Sequence, residues 1–336
     1  MLLNCTGVNN LRAKVEVLVK VFVFGAAGFI GRALISKLIG DGHEVSLLTR
    51  NPARAKSLLG PAVKIHVGDM VDRTYPDLSN YDVVINCAGE IRNESLMRRL
   101  HVDSIQYALS SLSTENKTHW IQLSSVGVYG PQGAGVIRES HPFNPVGEYE
   151  ITKAEGDLLV SDICRARGIP YTIIRPSNVF GDGMSNQSLA QLIQVIRRKL
   201  FFFIGRPSLC MMNYVHVDDV VDAIISCMGN PIASGNDFIV SDVIDQYSFV
   251  QLVKSEVGGG WTPIMPILIV KAIIFFAKLI PGFPLSEGRI NALMTRAVYS
   301  TEKIEGCLGF SPGVGIEIGL RQYCRHLMDA TGKKSG

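Results

Sequence analysis

The stretch VLVKVFVFGAAGFIG, Val17 to Gly31, decides the fold. Val17 to Phe24 is a β-branched and aromatic run of the kind that lies in a sheet covered on both faces. Gly25 to Gly31 then turns the chain and opens an apolar helix through Leu38. Strand, glycine turn and helix in that order form the opening unit of a doubly wound α/β sheet. Working outward, further strands are expected at Glu44 to Leu48, Lys64 to Val67, Val83 to Asn86 and Trp120 to Ser124, with helical stretches between several of them. This alternation predicts an α/β, Rossmann-like doubly wound parallel sheet. Ligands of such sheets lie beyond the carboxyl ends of the strands, where Gly25, Thr49, Asp69, Cys87 and Ser124 fall.

A helix from Tyr149 to Arg167 leads into a strand from Tyr171 to Arg175. The pattern then loosens around Gly181 to Gly183, with a helix near Leu189 to Lys199. Val215 to Met228 reads as a short strand and a helix capped by Asp218, and Phe238 to Val240 as a strand rejoining the main sheet. The expected organisation is a dinucleotide-binding domain over 17–180, with 214–240 returning to it. A smaller, interleaved C-terminal substrate lobe is expected from 181–213 and 241–330.

Composition narrows the class. A chain of 336 residues, 47% hydrophobic and 19% charged, can bury a full core. A formal charge of +3 gives no footprint for nucleic acid. Seven scattered cysteines, without a CxxC pair or metal-ligand spacing, read as reduced thiols in a cytoplasmic protein, with no metal site. The N-terminus lacks the basic-then-apolar order of a signal peptide. Ile264 to Ile280 is apolar but short for a membrane span, and contains Pro266, Lys271 and Lys278. It reads as a buried or dimer-facing helix, with a membrane-surface helix as the alternative.

Gly25, Gly28 and Gly31 form GxxGxxG between a strand and a helix, so backbone can approach a pyrophosphate at the positive end of the helix. No carboxylate ends the second strand to accept from a ribose 2′-hydroxyl; Thr49 and Arg50 stand there. A guanidinium beside a hydroxyl suits a 2′-phosphate, which favours NADP over NAD. Asp69, with Met70 beside it, is placed either to bond an adenine amine or to form a turn.

Tyr149 and Lys153 are four apart in a helix, so both emerge on one face with the ammonium near the phenol. A lysine cation and an oxidised nicotinamide together would favour the phenolate and make the tyrosine a usable acid/base. Lys153 can also hold the nicotinamide ribose. Ser125, or its neighbour Ser124, can donate to a substrate oxygen and support developing charge.

With these motifs assembled, the sequence resembles the extended short-chain dehydrogenase/reductase family, in its nucleotide-sugar epimerase, dehydratase and reductase branch. The carrying motifs are GAAGFIG (Gly25 to Gly31), NCAG (Asn86 to Gly89), SSVGVYG (Ser124 to Gly130), YEITK (Tyr149 to Lys153), RPSNVFGDG (Arg175 to Gly183) and YVHVDDVVDAI (Tyr214 to Ile224). The resemblance implies that Phe29 and Ile30 offer backbone to the pyrophosphate. It implies that Ala88 and Gly89 line the cofactor and that the loop at Pro176 approaches the nicotinamide. Ser124 joins the cofactor set, Ser125 matches the catalytic hydroxyl, and Asn178 matches a contact to the diphosphate of a sugar nucleotide. A homodimer is implied by the same analogy.

The departures are informative. Met212 replaces an arginine that often clamps a substrate diphosphate. His101 replaces an asparagine on the helix before the fifth strand; it reads as an ordinary surface histidine and receives no role. Val126 and Gly127 stand where dehydratases place an acidic pair, which argues against dehydration. The expected activity is therefore NADP-dependent reduction of a 4-keto nucleotide sugar, with Ser125, Tyr149 and Lys153 as catalytic residues. Three alternatives stay open. They are a UDP-sugar 4-epimerase with tightly bound NAD, a reductase of a non-sugar carbonyl such as a sterol-like compound, and a dinucleotide-binding sensor without turnover.

Overall fold

The computed structural model describes residues 18–184, 186–270 and 287–332. In chain order the main elements are β1 (Lys20–Phe24), α1 (Phe29–Gly40), β2 (Glu44–Thr49), α2 (Pro52–Leu59), β3 (Lys64–Val67), β4 (Val83–Asn86), α3 (Glu94–Arg98), α4 (Ser104–Ser111), β5 (His119–Leu123), β6 (Ala134–Ile137), α5 (Glu148–Arg167) and β7 (Tyr171–Pro176). There follow β8 (Asn178–Phe180), α6 (Ser188–Arg197), β9 (Phe203–Ile204), β10 (Met211–His216), α7 (Val217–Cys227), β11 (Asn236–Val240), β12 (Asp242–Asp245), α8 (Gln246–Val257) and β13 (Ile264–Met265). The described chain ends with α9 (Glu287–Met294), β14 (Arg296–Tyr299), α10 (Glu302–Leu308) and α11 (Gly315–Gly332).

Seven strands form the main sheet in the order β3-β2-β1-β4-β5-β7-β11, and every pairing in it is parallel. The order reverses between β1 and β4, which opens the crevice where doubly wound sheets take their ligands. The apolar run fills both faces, as a covered strand must. Val21 and Val23 pack with Leu34, Ile35 and Leu38 of α1 and with Val220 and Ile224 of α7. Phe22 and Phe24 face the opposite layer, with Trp120, Ile105 and Leu109 of α4, and Val160 of α5.

The elements after β7 build a second core from Phe180, Leu189, Ile193, Met212, Phe249 and Leu320. Beside it lies a three-stranded sheet, β12-β10-β8, in which β10 runs parallel to β8 and antiparallel to β12. Phe29, at the start of α1, packs against this second core and so couples it to the glycine turn.

Several expectations need correction. The first strand begins at Lys20, where its register with Glu44 begins; Val17 lies outside the described residues. The fifth strand spans His119–Leu123 and leaves Ser124 just beyond its end. Asp218 does not cap α7. The N-cap is His216, whose ring nitrogen accepts from the Asp218 amide at 3.3 Å, while Asp218 and Asp219 sit in the first turn, where the helix dipole favours them.

The return of 214–240 to the main sheet is made by α7 and β11, because Tyr214 to His216 belong to the small sheet. Interleaving goes further still: β14 pairs with β6, and Ile304 and Phe310 pack into the core beneath the main sheet. Ile264 and Met265 form β13 against β9 rather than the start of a helix. The expected helix beyond Val270 lies outside the described residues up to 286. Among the described residues no helix is long and apolar enough to cross a membrane.

Candidate active site

The glycine turn has the shape a pyrophosphate cradle requires. Gly25 has φ +72°, and a Cβ there would stand 2.5 Å from the Ala88 nitrogen and 2.6 Å from the Cys87 oxygen. A Cβ on Gly31 would stand 2.3 Å from the Gly25 oxygen. Only glycine lets β1, α1 and the end of β4 approach so closely. Gly28 is the N-cap of α1, with no side-chain cap and no acidic residue in the first turn. The amides of Phe29 and Ile30 therefore keep their donors for an anion. These residues fit a dinucleotide.

The rest of the crevice is built from strand ends. Asn86, buried at the end of β4, accepts from the Ala88 amide at 3.1 Å and donates to Gln122 at 3.1 Å. Ala88 and Gly89 are thereby fixed at the mouth. Glu90 continues the loop, and its carboxylate accepts from the amides of Ile91, Arg92 and Asn93 at 2.9, 2.8 and 3.1 Å. These bonds hold the carboxyl below its usual range.

At the far side of the crevice, Arg50 is exposed after β2 and its guanidinium lies 3.3 Å from Asp69. Asp69 also accepts from Val71 at 2.7 Å, which makes it a turn former in addition to Arg50's partner. Thr49 is occupied in bonding the Asn51 amide at 3.1 Å. Met70 is buried beside them in the aromatic layer.

Ser125, Tyr149 and Lys153 come from adjoining pieces. Ser125 is the N-cap of a short 3₁₀ turn, Val126–Tyr129, and its hydroxyl accepts from the Gly127 amide at 3.1 Å. With that lone pair engaged, its proton is free to point at a substrate oxygen. The turn packs on the first turn of α5, since a Cβ on Gly127 would meet Glu150 at 2.9 Å. Lys153 is 5% exposed. Its ammonium donates to the Leu123 carbonyl at 2.9 Å and stands 6.0 Å from the centre of the Tyr149 ring. Burial pushes this lysine down to about 8, partly offset by Asp157.

In this geometry the Lys153 ammonium alone does not bring the phenol below its ordinary value. Burial first, then Glu150 and Asp157 on the same helix, push Tyr149 up to about 12. Beneath the pair, Asp157 bonds Arg175 at 2.8 Å, and Arg175 also donates to Tyr129 at 2.9 Å and to Asp237 at 2.5 Å.

Pro176 ends β7, and Asn178 opens β8 where the chain leaves the main sheet. The Asn178 amide donates to the Asn213 carbonyl at 3.0 Å and remains exposed. Ser124 is buried beside Ser125. Met212 is buried among Ile244 and Phe249 of the second core, so its position contributes packing. Among the described residues, a cavity of about 390 Å³ opens between α1 and the C-terminal lobe, lined by Phe29, Arg32, Asp182, His216 and Tyr323. Of the expected site residues it includes Phe29 alone.

His101 is the residue that sequence reasoning missed. It is not a surface histidine: it is 2% exposed, in a π-helical stretch, Arg99–Asp103, joining α3 to α4. Its ring meets that of Tyr149 edge to face, at 5.7 Å and 84°. The signal was its place in HVDSI, where the family resemblance expects an asparagine.

Residues 21–241 match the model of the NAD dependent epimerase/dehydratase family, and the chain belongs to that family. It is an NAD(P)-dependent enzyme of the extended short-chain dehydrogenase/reductase type. It is 25% identical over 265 residues to a UDP-glucose 4-epimerase of Lactobacillus helveticus, covering 70% of this chain and 80% of that one. It is 26% identical over 320 residues to a dTDP-glucose 4,6-dehydratase of Streptomyces griseus, covering 89% and 91%. The fold is similar to that of a UDP-glucose 4-epimerase from Thermotoga maritima solved with UDP-glucose. The TM-score is 0.70 at 19% identity, over 93% of this chain and 99% of that one.

Proposed function

We propose that this enzyme is an NADP-dependent reductase of a 4-keto nucleotide sugar. The observation that carries the reading is the placement of Tyr149, a half-buried phenol one helical turn before Lys153, whose ammonium is held by the Leu123 carbonyl at 2.9 Å and stands 6.0 Å from the centre of the phenol ring. Such a tyrosine starts as a proton donor, as the reduction of a ketone requires. Ser125 adds a second donor to the same oxygen, and Lys153 steadies the charge left on Tyr149 once its proton has gone. A bound nicotinamide supplies the hydride. Val126 and Gly127 offer no acid or base for removing water, which supports simple reduction over dehydration.

NADP is favoured because β2 ends in Thr49 and the exposed Arg50, with no carboxylate there to meet a 2′-hydroxyl. The nucleotide-sugar class follows from the named substrates of the relatives and from the exposed Asn178 at the sheet junction. A homodimer acting in the cytoplasm completes the proposal; the six described cysteines are all free.

Purified protein would be assayed with dTDP- and UDP-linked 4-keto-6-deoxy sugars, following NADPH and NADH consumption. Ligands released on denaturation would be identified by mass spectrometry. NADPH oxidation, abolished by Tyr149→Phe, is the expected outcome. Stoichiometric NAD released only on denaturation, with no net cofactor consumption, would instead establish the 4-epimerase reading that the Lactobacillus relative favours.

A further inference from the structure

We propose that His101 is a two-headed positioning residue that ties the loop after β4 to the first turn of α5 and so aims Tyr149 at the cofactor crevice. The proposal rests on the reading of Tyr149 as the proton donor.

Hydrogen-bond directions follow from the partners. The Glu90 amide can only donate, and it lies 3.0 Å from His101 Nε2, so Nε2 carries no proton. The proton is therefore on Nδ1, which donates to the Thr152 hydroxyl at 2.9 Å. Thr152 passes the polarity on by donating to the Glu148 carbonyl at 2.8 Å. One chain of bonds thus runs from the cofactor loop to the turn that carries Tyr149.

The imidazole also braces the phenol ring directly by its edge-to-face contact. A Cβ on Gly89 would stand 3.7 Å from Lys153 Nζ and 3.9 Å from His101 Nε2, so loop, ammonium and imidazole converge at one place. Burial, with the Lys153 charge adding to it, pushes His101 down to about 3. A histidine that stays neutral at working pH is unsuited to proton transfer and suited to holding a fixed spacing.

The two heads can be cut separately. The amide nitrogen of an asparagine falls near the place of Nδ1, and the amide oxygen of a glutamine near that of Nε2. His101→Asn therefore keeps the tie to Thr152 and loses the tie to Glu90. It should raise KM for NADPH about ten-fold, and its kcat should fall less than that of His101→Gln, because both variants lose the ring that braces Tyr149 but only the glutamine also loses Thr152. His101→Gln keeps the loop and loses Thr152, so it should lower kcat about ten-fold with KM for NADPH unchanged. Thr152→Val, which leaves the histidine in place, should reproduce the kcat loss.

Kinetics would be measured with NADPH and a dTDP-linked 4-keto-6-deoxy sugar, with Tyr149→Phe run in parallel. Unaltered kinetics in both His101 variants, or the same loss in both, overturns the proposal. An active Tyr149→Phe enzyme overturns the proton-donor reading instead, and the two failures are distinguishable in one series.

Discussion

The Lys153 ammonium is held by the carbonyl of Leu123 at 2.9 Å, at the carboxyl end of β5. The parallel strand thus places a carbonyl where it can orient the cation of a helix lying across it. Because burial brings this lysine down to about 8, it is charged below that pH and neutral above it. The charge left on Tyr149 in the proposed reduction then loses its support, so kcat/KM should fall as pH rises through about 8. Lys153→Arg, whose guanidinium does not titrate in this range, should be slower but lack that limb. Profiles recorded from about pH 6 to about pH 10 test this; a flat wild-type profile across 8 would refute it.

Asp157 and Arg175 form a pair with side chains 1% and 3% exposed. Removing one partner of a buried pair leaves a charge without compensation, which costs about 3 to 5 kcal/mol. Tyr129 and Asp237 still bond Arg175, so Asp157→Asn should fall at the low end of that range in urea unfolding. The variant also removes the carboxylate that favours the charged form of Lys153, and the alkaline limb should move to lower pH. A stability loss with an unmoved limb would show that Asp157 serves only the fold.

How far the sequence was legible depended on whether the cause was local. The glycine turn, β3 and β4 could be read because alternating elements and covered strands leave their pattern in consecutive residues. Tyr149 and Lys153 could be placed on one face from helical spacing alone. The structure shows what that spacing could not: the ammonium goes to Leu123, thirty residues away, while burial and then the carboxylates of Glu150 and Asp157 push the phenol up.

His101 escaped for the same reason. Its partners, Glu90 and Thr152, lie on two other elements, and nothing near residue 101 announces them. The domain boundary was blurred because β14 and α10 return to pack on β6 and β11, and only tertiary contact reveals a strand's sheet. The α7 cap was misassigned because aspartate is the commoner cap, whereas the extended residue here is His216.

Gly25 offers a direct test of the cofactor cradle. Its φ of +72° disfavours any side chain, and a Cβ would overlap the backbone of Cys87 and Ala88. Backbone cannot yield as a flexible side chain does, so Gly25→Ala should cost about 1 to 3 kcal/mol of strain. It should also push β4's end away from the turn and abolish NADPH binding, read by nicotinamide fluorescence. Gly42→Ala is the control, since it also has positive φ but nothing within 4 Å of its Cβ. It should lose some stability and bind NADPH normally; equal binding by both variants would remove the cradle from the cofactor site.

The proposed preference for NADP rests on Arg50. Its side chain is 79% exposed and meets Asp69 at 3.3 Å, a surface pair worth at most about 1 kcal/mol. A 2′-phosphate can therefore take the guanidinium from Asp69 at little cost and gain charge-assisted bonds. Arg50→Glu reverses the charge and presents a carboxylate to a ribose 2′-hydroxyl. It should raise the Kd for NADPH at least about ten-fold and leave that for NADH equal or lower, in parallel fluorescence titrations. The NADPH penalty should shrink with added salt, because the site is exposed. If NADH binds more tightly than NADPH to the unaltered enzyme, and Arg50→Glu changes neither, the guanidinium is a solvated surface group and the cofactor is NAD.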